Sequence, residues 1–410
     1  MMQLVEQHLI RKVDPRFTRL DAAAFASKNL WNLANYYVRQ SFIFEHLYLD
    51  NVKVFHLVKS QDAYQALPAK VSNQVLIQLH KAWVAFFEAM QEWREHPEKF
   101  LGRPKLPKYK HKTAGRNLLV YEKGAISKRA LKRGLISLTA LGELVKSKQK
   151  KETVVQARVV PRGTQYVIEV IYERKAEQKA LDASLFAALD LGVNVLAAIT
   201  SNQPGFVPRL VNGRVLKSIN QGYNKQREHG QKQLAKQNRF TSRHLDAITD
   251  KRNGRIKHQL HVASKAIIDL LEASGIGTLI IGKNAFWKQE VEMGKRHTQA
   301  FVQIPHTRFI EMLTYKAALV GIAVIITEES STSKASFLDR DVLPVYDPER
   351  TDKHKFSGWR DGRWYHASGK RVIHSDVNGS YNIGRKVFPD AFGQGRVAPA
   401  VEPIRLAVKC

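Results

Sequence analysis

Four carboxylates in a strongly basic chain stand where chemistry could be done. Asp190 closes the apolar run "LFAALD" just before Gly192, Glu328 and Glu329 follow "AVIIT", and Asp376 opens "SDVNGSYNIGRKV". Each has an ordinary explanation by itself: Asp190 as a turn cap, Asp376 as a helix N-cap favoured by the macrodipole. Together they predict more, because acids at the ends of neighbouring strands of an α/β sheet converge on one edge. Burying acids that repel one another is costly unless a cation bridges them. Mg²⁺, hard and oxygen-loving, is the expected bridge, with Mn²⁺ as a substitute. Two such ions about 3.5–4 Å apart could activate water and stabilise the leaving oxygen of a phosphodiester. Side chains alternate along a strand, so Glu328 and Glu329 cannot both face such ions. The residues alone leave that choice open.

The composition names the substrate class. Lys and Arg number 66 against 37 acids in 410 residues, a formal charge of +29. Folding gains nothing from such self-repulsion, and a large polyanion is the natural partner. The basic residues are spread along the chain instead of being gathered on one amphipathic helix, which favours nucleic acid over a membrane surface. No apolar run reaches the ~18–20 residues of a membrane span, and "MMQLVEQHLIRKVDPRF" lacks the apolar core of a secretory signal. The expected setting is the cytoplasm of a prokaryote, near the nucleoid. The single cysteine, Cys410, excludes internal disulfides and any zinc site built on Cys-x-x-Cys pairs. His354, His366 and His374 show no metal-binding spacing and are read as solvated or hydrogen-bonded.

The elements that must position these acids come in three textures. Residues 3–13 alternate as a strand, and 17–98 repeat apolar residues at helical spacing, with Trp31, Trp83 and Trp93 expected in a helix–helix core. The stretch "FLGRPKLPKYKHKTAGRN" is basic and rich in Pro and Gly, and Arg103, Lys105, Lys108 and Lys110 are expected on phosphates. Short strands follow, consistent with a small barrel. From residue 183 strands and helices alternate, which predicts an α/β sheet. The basic helical stretch over 217–274 is expected on nucleic acid through Lys251, Arg252, Arg255 and Lys257, whose phosphate contacts would position a duplex without reading it. The expected divisions are a β-barrel from 1–16 and 100–182, a helical lobe over 17–99, an α/β domain from 183–332 and 374–388, an inserted lobe over 333–373, and a flexible tail over 389–410.

"LDLGVN", "LTYKAALVGI" and "SDVNGSYNI" resemble the RuvC nuclease domain of TnpB proteins, transposon-encoded RNA-guided DNA endonucleases related to type V CRISPR effectors. "FLGRPKLPKYK" is similar to the family's turn into its wedge domain, and the early helices to its recognition lobe. The resemblance implies a multidomain α/β protein: an RNase H-like (RuvC) fold with an Asp-Glu-Asp triad, a helical recognition lobe and a β-barrel wedge. It also implies a noncoding guide RNA, double-stranded target DNA beside a short flanking motif, and cleavage of a displaced single strand. A monomer is favoured. Asp190 and Asp376 match the outer members of the triad. The usual middle glutamate falls on "LIIGKNAF", where Gly282 stands instead. Some relatives carry that acid on the next strand, three residues before a Thr-Ser pair. Thr332 and Ser333 then favour Glu329, with Glu328 as the alternative, and the bare Gly282 would leave room for the arriving carboxylate. Many relatives also carry a Cys-x-x-Cys…Cys-x-x-Cys zinc ribbon between the second and third acids, which is absent here, so no zinc is predicted. The inserted lobe must fold on its aromatics (Phe337, Tyr346, Trp359, Trp364, Tyr365) or stay partly mobile. The rival reading is a nuclease-dead RNA-guided DNA-binding repressor; a strand-exchanging transposase is a weaker third.

Overall fold

The computed structural model describes residues 1–283, 302–345, 354–392 and 402–408, and the chain divides into two compact units, Met1–Lys175 and Ala176–Cys410. In the first unit, strand β1 (Met2–Ile10) leads into helix α1 (Phe17–Gln40), then α2 (Asn51–Val58), α3 (Asp62–Gln65) and the long α4 (Ala69–Glu95). The helices close on an aromatic core in which Trp83 is fully buried and Trp31 nearly so. Trp93, expected in the same core, is only half-buried, with the Arg103 guanidinium over its ring. Strand β2 (Leu119–Glu122), α5 (Lys128–Lys132), β3 (Leu135–Leu138), β4 (Gly142–Lys146), β5 (Val154–Arg162) and β6 (Gln165–Arg174) complete the unit.

The first strand returns to pair antiparallel with β6 along its whole length, from Met2 opposite Arg174 to Ile10 opposite Tyr166. The sheet order is β1-β6-β5-β2, and β3 and β4 form a separate hairpin. Among the described residues no strand pairing closes this sheet into the expected barrel.

The second unit is built on a six-stranded mixed sheet. Its strands are β7 (Asp182–Leu191), β8 (Val195–Ser201), β9 (Arg209–Asn212), β10 (Ile276–Gly282), β11 (Ala323–Thr327) and β15 (Ile404–Arg405), in the order β11-β10-β7-β8-β9-β15. Strands β7, β8 and β9 run antiparallel in sequence; β10 lies parallel to both β7 and β11. Helices α6 (Arg214–Ala235), α7 (Arg243–Ala273) and α8 (His306–Val320) connect them. A three-stranded antiparallel sheet, β12 (Trp359–Asp361), β13 (Trp364–His366) and β14 (Val372–His374), occupies the inserted segment and runs directly into α9 (Ser375–Val387). The tail expected to be flexible contributes β15, parallel to β9.

The strand period of two sorts the central strands between two cores. Ala187, Leu189 and Leu191 of β7, with Leu279 and Ile281 of β10, pack in the cluster that holds the buried faces of α7 and α8. Phe186 and Ala188, with Ile280, pack instead with Val377, Tyr381 and Ile383 of α9. Asp190 and Gly282 continue the second set, so both fall on the α9 side of the sheet.

Candidate active site

Asp190 sits at the carboxyl end of central strand β7, opposite Ala198 of β8, and α9 crosses directly over it. The approach is so close that a Cβ added at Gly379 of α9 would lie 2.6 Å from Asp190 Oδ2. The asparagines and serine of "DVNGSYNI" explain why the motif has this composition. Asn378 accepts from the Phe337 N–H (2.9 Å) and donates to the Ala335 carbonyl (2.8 Å). Asn382, one turn later on the same face, donates to the carbonyls of Thr332 (2.9 Å) and Ala335 (2.8 Å). Ser380 donates to the Ala188 carbonyl (2.9 Å) on β7. The helix thus clamps the chain leaving Glu329 on one side and the strand carrying Asp190 on another. These three polar residues were not singled out individually from the sequence, although the i, i+4 spacing of the two asparagines is a signal that could have found them.

The adjacent glutamates diverge as alternation requires. Glu328 takes the Lys386 ammonium and the Ser330 hydroxyl and N–H; burial works against its charge, but these donors outweigh it and its pKa is lowered. Glu329 turns the other way. Burial, then the charge of Glu328, pushes its pKa up to about 7. A Cβ added at Gly282 would stand 2.7 Å from Glu329 Oε2 and 2.6 Å from Ile383 Cδ1, so the missing side chain at 282 is the space that Glu329 uses. Asp190 is raised well above the ordinary carboxylate range, first by burial and then by the charges of Glu329 and Asp376; Arg360 and the Leu191 N–H oppose this. Asp190 therefore lies in the field of both Glu329 and Asp376, while Glu328, which acts on Glu329, has its own charge compensated by Lys386.

They line a cleft of about 1150 Å³ whose walls also carry Arg214, Lys334, Arg360 and Arg363. Asp376, in the first turn of α9, pairs with the Arg360 guanidinium at 3.1 Å. His374 caps the same helix by accepting from the Asp376 N–H (3.3 Å). All-oxygen donors suit a hard divalent cation. Among the described residues, however, no three His, Cys, Asp or Glu side chains are gathered closely enough to hold a metal ion as they stand. In this arrangement the Arg360 guanidinium supplies the countercharge to Asp376.

The expected nucleic-acid residues divide by what holds them. In the first unit, one face of α1 grips the basic Pro-rich segment by its backbone. Lys28 donates to the Lys112 carbonyl (2.6 Å), Trp31 to Lys108 (3.2 Å), Asn32 to Lys110 (2.9 Å) and Asn35 to Pro107 (3.0 Å). With its backbone so engaged the segment leaves Arg103, Lys105 and Lys108 exposed, whereas Lys110 is half-buried with its ammonium over the Trp31 ring. In the second unit, Lys251 and Arg255 are exposed and Lys257 half-buried. Arg252 departs from expectation. Its guanidinium donates to Asn220 (2.8 Å), Asn253 (2.8 Å) and the Gln303 carbonyl (2.9 Å), and it lies over Tyr223. It ties α6 to α7 and is not free to meet a phosphate. The inserted lobe buries Phe337 and Tyr365, leaves Trp359 exposed and stacked on His366, and half-buries Trp364; Tyr346 lies outside the described residues.

Two family models match in chain order: "Probable transposase" (OrfB_IS605) over residues 167–288, which holds Asp190, and "Cas12f1-like, TNB domain" over 306–383, which holds Glu329 and Asp376. Over these two stretches the chain is similar to TnpB-like proteins. Comparison with curated proteins gives no significant match. Among solved structures, the Cas12f1–sgRNA–target DNA complex is 13% identical, covering 93% of this chain and 98% of that one, with a TM-score of 0.35. The mini-RNA-guided endonuclease CRISPR-Cas_phi3 is 9% identical, covering 97% and 94%, with a TM-score of 0.42. Scores this low carry no inference about this chain. Among the described residues no helix is long and apolar enough to cross a membrane.

Proposed function

We propose that this chain is an RNA-guided DNA endonuclease of a transposon, with Asp190, Glu329 and Asp376 as its catalytic acids. The observation that carries the reading is the fit of Glu329 into the space left by Gly282, beside an Asp190 whose charge is destabilised by its two acidic neighbours. A retired site has no physical reason to keep Asp190 in the field of two other acids at such electrostatic cost. The sheet order supports an RNase H-like core: three antiparallel strands, then two parallel ones added on the side of the first. Asp190, Glu329 and Asp376 would hold Mg²⁺, or Mn²⁺ in its place. Bound there, the cations would lower the pKa of water and neutralise charge on the leaving oxygen. The chain's own part is to offer deprotonated carboxylates, which for Glu329 means losing a proton near pH 7. It also lines the cleft with Arg214, Lys334 and Arg363, which suit a phosphodiester. The exposed Arg103, Lys105, Lys108, Lys251 and Arg255 would follow guide RNA and target DNA backbones.

A nuclease-dead repressor is the second reading, favoured by one observation: Arg360 engages Asp376, and no metal-ready trio exists among the described residues. One experiment separates the two. The protein is purified with its co-expressed RNA and given matched DNA with Mg²⁺ or with EDTA. Metal-dependent cutting of matched DNA alone is the expected result, and tight binding without cutting selects the repressor.

A further inference from the structure

Between Glu329 and Asp376 the chain passes through a second acidic centre that takes no part in the cleft. Asp339 accepts from the hydroxyls of Ser336 (2.6 Å) and Ser357 (2.9 Å), from the Ser368 N–H (3.0 Å), and from the Ser368 hydroxyl and the Arg371 guanidinium. Its side chain is 8% exposed. Asp341 beside it accepts from the N–H of Ser336 (2.8 Å) and the N–H of Ser357 (3.0 Å), and shares the one Ser357 hydroxyl proton with Asp339 (2.7 Å). Two carboxylates thus gather three stretches of chain distant in sequence: 336–341, 357 and 368–371.

Its place in the chain connects this centre to the missing zinc ribbon. Among the described residues, those that donate to Asp339 are four, Ser336, Ser357, Ser368 and Arg371, spread over the segment in which the resemblance to TnpB proteins implies a zinc ribbon and this chain has no cysteine. We infer that Asp339 is a metal-free replacement for the zinc ion, a single polar centre that gathers the legs of the lobe with the charge reversed. Zinc draws four ligands by accepting their lone pairs. An ionised carboxylate draws donors by accepting their protons, with about four lone-pair sites to fill. Either device serves a lobe of roughly 40 residues, which is too small to be held by its own apolar core.

The consequence for function rests on the nuclease reading of the cleft. Asp339 fixes Ser368 and Arg371 at the turn between β13 and β14. Those strands carry β12, whose Arg360 reaches Asp376, and end at Ser375, which donates to the Arg363 carbonyl (2.8 Å). Asp339 is therefore a positioning residue for the cleft wall.

The test uses the full chain with its guide RNA. Zinc measured by elemental analysis should be far below one per chain, and a zinc-selective chelator should leave both cutting and protease resistance of residues 333–373 unchanged. D339N keeps the shape but removes the charge; it should open the lobe to protease and lower cutting about tenfold or more, with guide RNA affinity within about twofold of the parent. S368A, which removes one donor, should act in the same direction more weakly. Lobe resistance in the parent should also persist down to about pH 5, where a thiolate-ligated zinc would be leaving. Stoichiometric zinc, chelator sensitivity, or a D339N lobe as resistant as the parent's would overturn the inference. If the parent itself does not cut DNA, the nuclease reading fails, while the zinc and protease measurements still decide the role of Asp339.

Discussion

Two acidic centres lie in the same unit, and they behave oppositely. Asp339 is nearly enclosed, yet its pKa is held well below the ordinary range, because donors from Ser336, Ser368 and Ser357 outweigh the cost of burial. Asp190 and Glu329 are raised, because burial and neighbouring acids dominate there. The lesson is that proximity of carboxylates does not mark a site; the supply of donors decides. An acid ringed by hydroxyls, an amide and a guanidinium is a structural centre. Buried acids with acidic neighbours and few donors have their charged form disfavoured, as at Asp190 and Glu329.

The sharpest way to break this contrast is to exchange the two adjacent glutamates. E329Q should lower metal-dependent cutting by about 10²–10³, equivalent to roughly 3–4 kcal/mol of activation free energy, and E328Q by less than about threefold. Equal losses would mean that alternation does not separate them. Next in size is G282A. A Cβ 2.7 Å from Glu329 Oε2 and 2.6 Å from Ile383 must displace one of them, so cutting should fall about tenfold and stability by about 1–3 kcal/mol. A larger loss in G282A than in E329Q would show that the glycine serves something besides Glu329.

The smallest effect concerns stability alone. Glu329 has a folded pKa of about 7, above its unfolded value. Between the two the native state binds the extra proton, so stability falls as pH rises toward 7 and levels off above it. In EDTA at pH 8, E329Q should therefore be more stable than the parent by about 1–3 kcal/mol, read by thermal melting, and the gain should vanish near pH 5. Asp339 has the opposite sign. Its depressed pKa contributes stability that is present above the unfolded value and lost only as pH falls through the folded one. D339N should therefore destabilise at pH 8. A stabilised D339N would erase the distinction between the two centres.

The strand ends were legible in the chain because that information is local: apolar runs stop at Asp190 and just before Glu328. The step from Gly282 to Glu329 came from the resemblance to TnpB proteins, not from spacing. The basic Pro-rich segment was equally readable, since an aperiodic charged stretch cannot build a core. The engagement of Arg252 was not legible because its neighbours in sequence are exposed cations; only the packing of α6 against α7 shows the partners of its guanidinium. Trp93 was misread because helical period cannot say where the partner helix stops.

Amino-acid order by itself determined the strongly basic charge, the alternation of strands and helices in the second unit, and which acids stand at strand and helix ends. Only the tertiary structure pairs Glu328 with Lys386 and sets Glu329 in the space at Gly282, which is the ground for proposing Glu329. It also made Asp339 a centre and joined residues 404–405 to the sheet. The physical reason is the same in each case. Whether a charge is neutralised, and whether a short segment finds an open strand edge, depends on groups brought from far along the chain, and local spacing carries no record of them.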